Sequence, residues 1–160
     1  YRSFTSVPEP KMEDIYVKKL LERVLSLTAS DNKQEQVKTE MFVEPEDLKL
    51  RGDAGQLEMI LLNLVKNARE SFDQKTGGGE RRITLRAGAD TRGKAFIEVE
   101  DDGPGIAPEL LEEIFIPFFT TKPTGTGIGL SLSRQIMQLH GGDIRAGASV
   151  GGGARFVLDF

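Results

Sequence analysis

Between Asp53 and Phe72 the apolar residues Leu57, Ile60, Leu61, Leu64, Ala68 and Phe72 recur at three- and four-residue steps. That spacing gives a helix one continuous apolar face, and such a face has to lie against another element. Asp53, with Gln56 three residues on, forms a capping box that fixes the helix start, and Gly77-Gly78-Gly79 marks where it must already have ended. Two alternating stretches follow, Ile83 and Leu85 in the first and Phe96 to Asp101 in the second, each with the two-residue period of a strand. A one-faced helix beside strands of this kind points to a layered α+β domain.

The rest of the chain fits that plan. Ile15, Val17, Leu20, Leu21, Val24 and Leu25 predict a helix over 14–27, and the alternation in VKTEMFV predicts a strand over 37–43. A short strand is expected around Leu48 and Leu50. Pro108 opens a short helix, PELLEEIF, and SLSRQIMQLH forms a third long helix closed by Gly141-Gly142. Residues 142–160 read as a hairpin with Phe156, Leu158 and Phe160 alternating. The expected fold is α+β, a two-layer α/β sandwich with a mixed sheet of about five strands covered on one face by about three helices. Pro8 and Pro10 disfavour helix near the start, so residues 1–12 are expected to be a linker and 13–160 the domain, cut from a longer protein.

Bulk properties remove several function classes. A formal net charge of -4 gives no pull towards nucleic acid or an anionic membrane surface. The chain has no cysteine, which excludes disulfides, thiolate zinc sites and thiol nucleophiles, and suits a reducing compartment. Its longest apolar run, MILLNLV, is far short of a membrane span, and no signal peptide is visible. The expectation is a cytoplasmic domain without direct membrane contact, whether or not the parent is anchored elsewhere.

Chemistry concentrates in three places. Asp101 shares a strand face with Ile97 and Val99, so if those two meet the core the carboxylate is aimed inwards and needs a donor. The exocyclic amine of adenine is one such donor; alternatively Asp101 caps the Gly103-Pro104-Gly105 turn from an exposed strand end. Asn63 and Asn67, four residues apart, sit one above the other at the edge of the apolar stripe. Their amides suit a hydrated hard cation such as magnesium, which relies on substrate phosphates for its other ligands, or they cap neighbouring loops. Finally, TGTGIGL lacks the lysine of a Walker-A loop and is not a G-x-G-x-x-G dinucleotide motif. It is a glycine strip running into a helix N-terminus, which favours an anion.

The ordered set resembles the Bergerat-fold ATP-binding domain shared by sensor histidine kinases, DNA gyrase, Hsp90 and MutL. NLVKNARES (63–71) is similar to the N box, DDGPGI (101–106) to the G1 box and GTGIGL (125–130) to the G2 box, while IFIPFFTTK (114–122) resembles the histidine-kinase F box. The resemblance covers roughly residues 50–160. It implies ATP and magnesium as cofactors, Asn67 as the metal ligand and Asp101 as the adenine partner. Gly103, Gly105 and Ile106 would shape the base pocket, and Gly125, Thr126, Gly127, Gly129 and the Leu130 amide would meet the phosphates. Asn63, Lys66 and Lys122 join this set, although for each lysine a solvated side chain is the simpler reading.

One position separates the branches of that family. The hydrolysing members and the related serine kinases usually hold glutamate four residues before the metal asparagine; here Asn63 stands there, and an amide cannot take a proton at neutral pH. The resemblance is therefore to histidine kinases, which bring the acceptor histidine and its base on a separate dimeric helical hairpin. SFTSVPEPKME and the short FFTTKPTGTGIGL lid are similar to the nitrogen-regulation type. Two departures stand out: Glu70 where many relatives carry lysine, and Ala154 where a threonine often supports a water-mediated adenine contact. The lone histidine, His140, ends a helix with no acidic residue after it and does not fit a phosphoacceptor. The implied partners are the chain's own phosphoacceptor hairpin, on which Phe118 and Phe119 would dock, and a response-regulator receiver domain. The rival readings are an ATP-sensing module without phosphotransfer and an ATPase or serine kinase of the same fold.

Overall fold

The computed structural model describes residues 7–74, 79–119 and 129–160. Among these, a five-stranded mixed sheet is covered on one side by helices, as the sequence predicts. Its strands are β2 (Val37–Val43), β4 (Arg81–Ala89), β5 (Ala95–Asp101), β6 (Asp143–Ala148) and β7 (Ala154–Asp159), in the order β2-β4-β5-β7-β6. A two-stranded ribbon pairs β1 (Glu13–Tyr16) with β3 (Lys49–Gly52). The helices are α1 (Val17–Gln34), α2 (Ala54–Ser71) and α3 (Gly129–Leu139). β2 and β4 run parallel because α2 carries the chain back across the sheet between them, whereas the remaining sheet pairs are antiparallel.

The period-two pattern decides which side is dry. Ile83 and Leu85, Ile97 and Val99, Ile144, and Phe156 and Leu158 face the helices and are buried, meeting the predicted α2 stripe of Leu57, Ile60, Leu61, Leu64, Ala68 and Phe72. The opposite side carries cross-strand ion pairs, Arg86 with Glu98 and Glu100, Arg155 with Glu98, and Arg145 with Asp159. Desolvation there, together with the neighbouring Glu100, pushes the Glu98 carboxyl above its ordinary range. Among the described residues no helix is long and apolar enough to cross a membrane.

The first helix departs from its expected bounds. Residues 13–16 are a strand, with Ile15 opposite Leu50, and the helix begins at Val17 and runs seven residues past Leu27 to Gln34. Its last turns are held by polar contacts that an apolar count misses. Thr28 Oγ1 donates to the Val24 carbonyl at 2.9 Å, Asn32 donates to Thr28 at 3.1 Å, and Arg69 of α2 donates to Asn32 at 3.0 Å. The helix expected after Pro108 is instead two three-residue 3₁₀ turns, Pro108–Leu110 and Glu113–Phe115. So short a helix nucleates poorly, and tertiary packing of Phe115 sets the path. Its ring meets Phe156 edge-on at 6.5 Å and lies 3.9 Å under the Arg134 guanidinium.

The α2 start shows half of the expected capping box. Asp53 accepts from the Gln56 N–H at 3.0 Å, but the Gln56 side chain turns away and donates to the Pro8 carbonyl. The Asp53 N–H instead donates to His140 Nε2 at 3.0 Å, while His140 Nδ1 donates to the Ile136 carbonyl at 2.8 Å. Both ring nitrogens of the only histidine thus bind backbone. α3 closes as a Schellman motif, with Gly142 N–H donating to the Met137 carbonyl and Gly141 N–H to that of Gln138.

Candidate nucleotide site

α2, the end of β5 and the start of α3 converge on a pocket of about 260 Å³. Among its described lining residues only Asn67, Ser71 and Asp101 bring polar side chains; Ile106, Ile114, Leu130 and Phe156 supply much of the apolar wall. An apolar slot with few polar groups is the general form of a small-molecule site.

Asp101 is 6% exposed, on the face shared with the fully buried Ile97. Its Oδ1 accepts from the Gly103 N–H at 2.9 Å and the Ala154 N–H at 3.3 Å. The carboxylate faces inwards; it also caps the turn that follows, but from a buried strand end rather than an exposed one. A buried carboxylate in a largely apolar wall needs such donors.

The turn at 101–106 is locked from outside by the β6–β7 connection. Ser149 Oγ donates to the Asp101 carbonyl at 3.3 Å. Gly105 has φ +82°, and a Cβ there would lie 2.6 Å from the Gly152 carbonyl oxygen, so only glycine lets the two turns meet.

The other expected site residues divide into groups. Asn67, Gly105, Ile106 and Leu130 line the pocket with Asp101. Gly103 adjoins it, packed against Ser71. Asn63 does not line it: a Cβ on Gly129 would lie 2.6 Å from the Asn63 amide, so Asn63 supports the first residue of α3, and its Nδ2 is buried with no hydrogen-bond partner among the described residues. Lys66 is exposed. Lys122, Gly125, Thr126 and Gly127 lie outside the described residues. Phe118, 62% exposed, and half-buried Phe119 follow the 3₁₀ turns, with Ile116 exposed beside them.

Sequence reasoning passed over Ala68, Ser71, Leu110, Ile114 and Phe156 as pocket residues. Ser71 had a readable signal, because it continues the Asn63 and Asn67 series one further turn along α2. The Leu110 and Ile114 pair follows the same four-residue step, but the segment is two 3₁₀ turns anchored by Phe115 rather than a helix.

Comparison with known proteins agrees with this geometry. Residues 52–160 match the family described as histidine kinase-, DNA gyrase B-, and HSP90-like ATPase. The two-component sensor PprA of Pseudomonas aeruginosa is 40% identical over 141 residues, which cover 86% of this chain and 15% of that protein. The nucleotide-free catalytic domain of histidine kinase ThkA superposes with a TM-score of 0.81 at 30% identity, covering 94% of this chain and 97% of that one. Full-length ShkA in complex with AMPPNP gives a TM-score of 0.84 at 27% identity, covering 99% of this chain and 33% of that one. The chain therefore belongs to the histidine kinase-, DNA gyrase B- and HSP90-like ATPase family, as a catalytic domain of the sensor histidine kinase type. It spans less than a third of the length of the curated relatives it matches.

Proposed function

We propose that this domain binds ATP with magnesium and presents the γ-phosphate to a histidine on a helical hairpin outside this chain. The observation that carries the reading is the buried Asp101 carboxylate, set in an apolar pocket that also contains Asn67. The base would lie in this pocket against Asp101, Gly105 and Ile106. At about 260 Å³ the pocket suits a base rather than a whole nucleotide. The phosphates would fall to Gly129, the Leu130 amide and the glycine strip of residues 125–128, with Lys66 and Lys122 near their charge. Among the described residues no group of three or more acidic, histidine or cysteine side chains is placed to hold a metal ion, so a metal would rest on the Asn67 amide oxygen and on the nucleotide's own phosphates. When bound, magnesium would neutralise phosphate charge.

Phosphoryl transfer depends chiefly on positioning and charge neutralisation, and this domain would supply those while the hairpin brings nucleophile and base. Asn63, unable to act as a base, supports that division of labour. Phe118 and Phe119 are proposed to dock on the hairpin. A response-regulator aspartate would then receive the phosphate; ThkA, similar to this chain, has been crystallised in complex with the response regulator TrrA. The finer grouping with nitrogen-regulation kinases rests on the SFTSVPEPKME and FFTTKPTGTGIGL stretches alone.

The test mixes the domain with a separately purified cognate hairpin and labelled ATP. Phosphohistidine on the hairpin is expected. Nucleotide binding without transfer would make the domain a sensing module, and rapid ATP turnover by the domain alone, lost in Asn63→Ala, would make it an ATPase.

A further inference from the structure

We infer that Ser71 is a specificity-determining residue: with Asp101 it forms a pair of acceptors that reads both N–H groups of an exocyclic purine amine. The inference rests on the pocket being the purine site and adds a second reader to it. Ser71 ends α2, and its Oγ donates to the Ala68 carbonyl at 2.7 Å. A hydroxyl has one proton and two lone pairs, so once that proton is committed to the helix backbone the oxygen offers acceptors only.

Ser71 and Asp101 face each other across a bare stretch of main chain. A Cβ built on Gly103 would stand 2.6 Å from Ser71 Oγ and 3.0 Å from Asp101 Oδ1. Both residues line the pocket, and Asn67 is the sole other polar side chain among its described lining residues. This corner is therefore acceptor-rich: a carboxylate on one side and a proton-committed hydroxyl on the other. A primary amine on the six-position of a purine brings two N–H donors, one for the Asp101 carboxylate and one for Ser71 Oγ. A six-oxo purine brings an acceptor to the same corner and meets two acceptors. Polar pockets reject such mismatches more strongly than apolar ones, because the site's own groups are left unpaired.

The experiment titrates ATP, GTP, N6-methyl-ATP and purine riboside triphosphate, which lacks the amine, into the wild-type chain and Ser71→Ala by calorimetry. The variant is expected to bind ATP about three- to tenfold more weakly, the worth of one neutral hydrogen bond. Its affinity for purine riboside triphosphate should be unchanged and its preference for ATP over GTP smaller. N6-methylation, which removes one N–H, should weaken binding to the wild type and cost little in the variant. A residue that merely finishes the helix would alter stability without producing this analogue dependence. Equal losses for ATP and purine riboside triphosphate, or an unchanged ATP affinity in a chain that still prefers ATP, would overturn the role of Ser71 and leave the pocket assignment standing. A wild-type chain that binds no adenine nucleotide would remove both.

Discussion

Replacing Asp101 by asparagine tests the base pocket with almost no change of shape. In the wild type, Oδ1 accepts from the Gly103 and Ala154 N–H groups. Asparagine must turn its one oxygen towards those same two donors, because an NH₂ there would face N–H against N–H. The NH₂ is then forced into the other carboxylate position and presents hydrogen where the pocket had offered oxygen. A hydrogen bond to a charged acceptor contributes about 1.5–3 kcal/mol, so ATP should bind roughly ten- to a hundredfold more weakly. GTP, whose six-oxygen can accept from the new NH₂, should hold its affinity or gain. The fold should lose little, since both backbone bonds survive. Calorimetric titration of both nucleotides, alongside a thermal melt, reads all three effects. An Asp101→Asn protein that melts like the wild type and keeps its full preference for ATP would refute the argument.

Gly105→Ala places a Cβ 2.6 Å from the Gly152 carbonyl at φ +82° and should cost about 2–3 kcal/mol in chemical denaturation, with weaker nucleotide binding. Asp53 is held below its ordinary value of 3.8 by the Lys11 and Gln56 N–H groups. Its contribution to stability is therefore present above that value and lost as pH falls through the lower folded value; Asp53→Asn should flatten the acid limb of urea midpoints measured against pH. Arg134→Ala removes the stacking on Phe115 and the 2.7 Å bond to the Ile144 carbonyl, and should destabilise by about 1–3 kcal/mol, with Arg134→Lys restoring little of it. His140→Ala should lower the melting temperature while leaving phosphotransfer to an added hairpin intact, since both ring nitrogens already bind backbone.

How much of this was legible in the sequence depended on which force set each feature. Where burial set it, the pattern was enough: α2 and the strand faces follow directly from residues such as Leu57, Ile97 and Leu158. Where polar networks or distant partners decided, it was not. The tail of α1 survives through Thr28, Asn32 and Arg69, and no periodicity of apolar residues reports that chain of bonds. The 108–115 segment follows Phe115 into its slot against Phe156 and Arg134, a contact between residues far apart in sequence. At the site, Asp101 could be read from strand parity. Its Gly103 donor belongs to the turn cap the sequence suggested, but its Ala154 donor could not be read, because it arrives from another strand. The capping box was half right for the same reason: His140, 87 residues away, took the place of the Gln56 side chain.

That histidine clasp constrains how α3 can move. One end of the helix begins at Gly129 against Asn63, and the other is bolted through His140 to the residue just before α2. Sliding α3 along α2 would have to break this hydrogen bond, which ties together the helix ends opposite to those that carry Leu130 and Asn67 at the pocket.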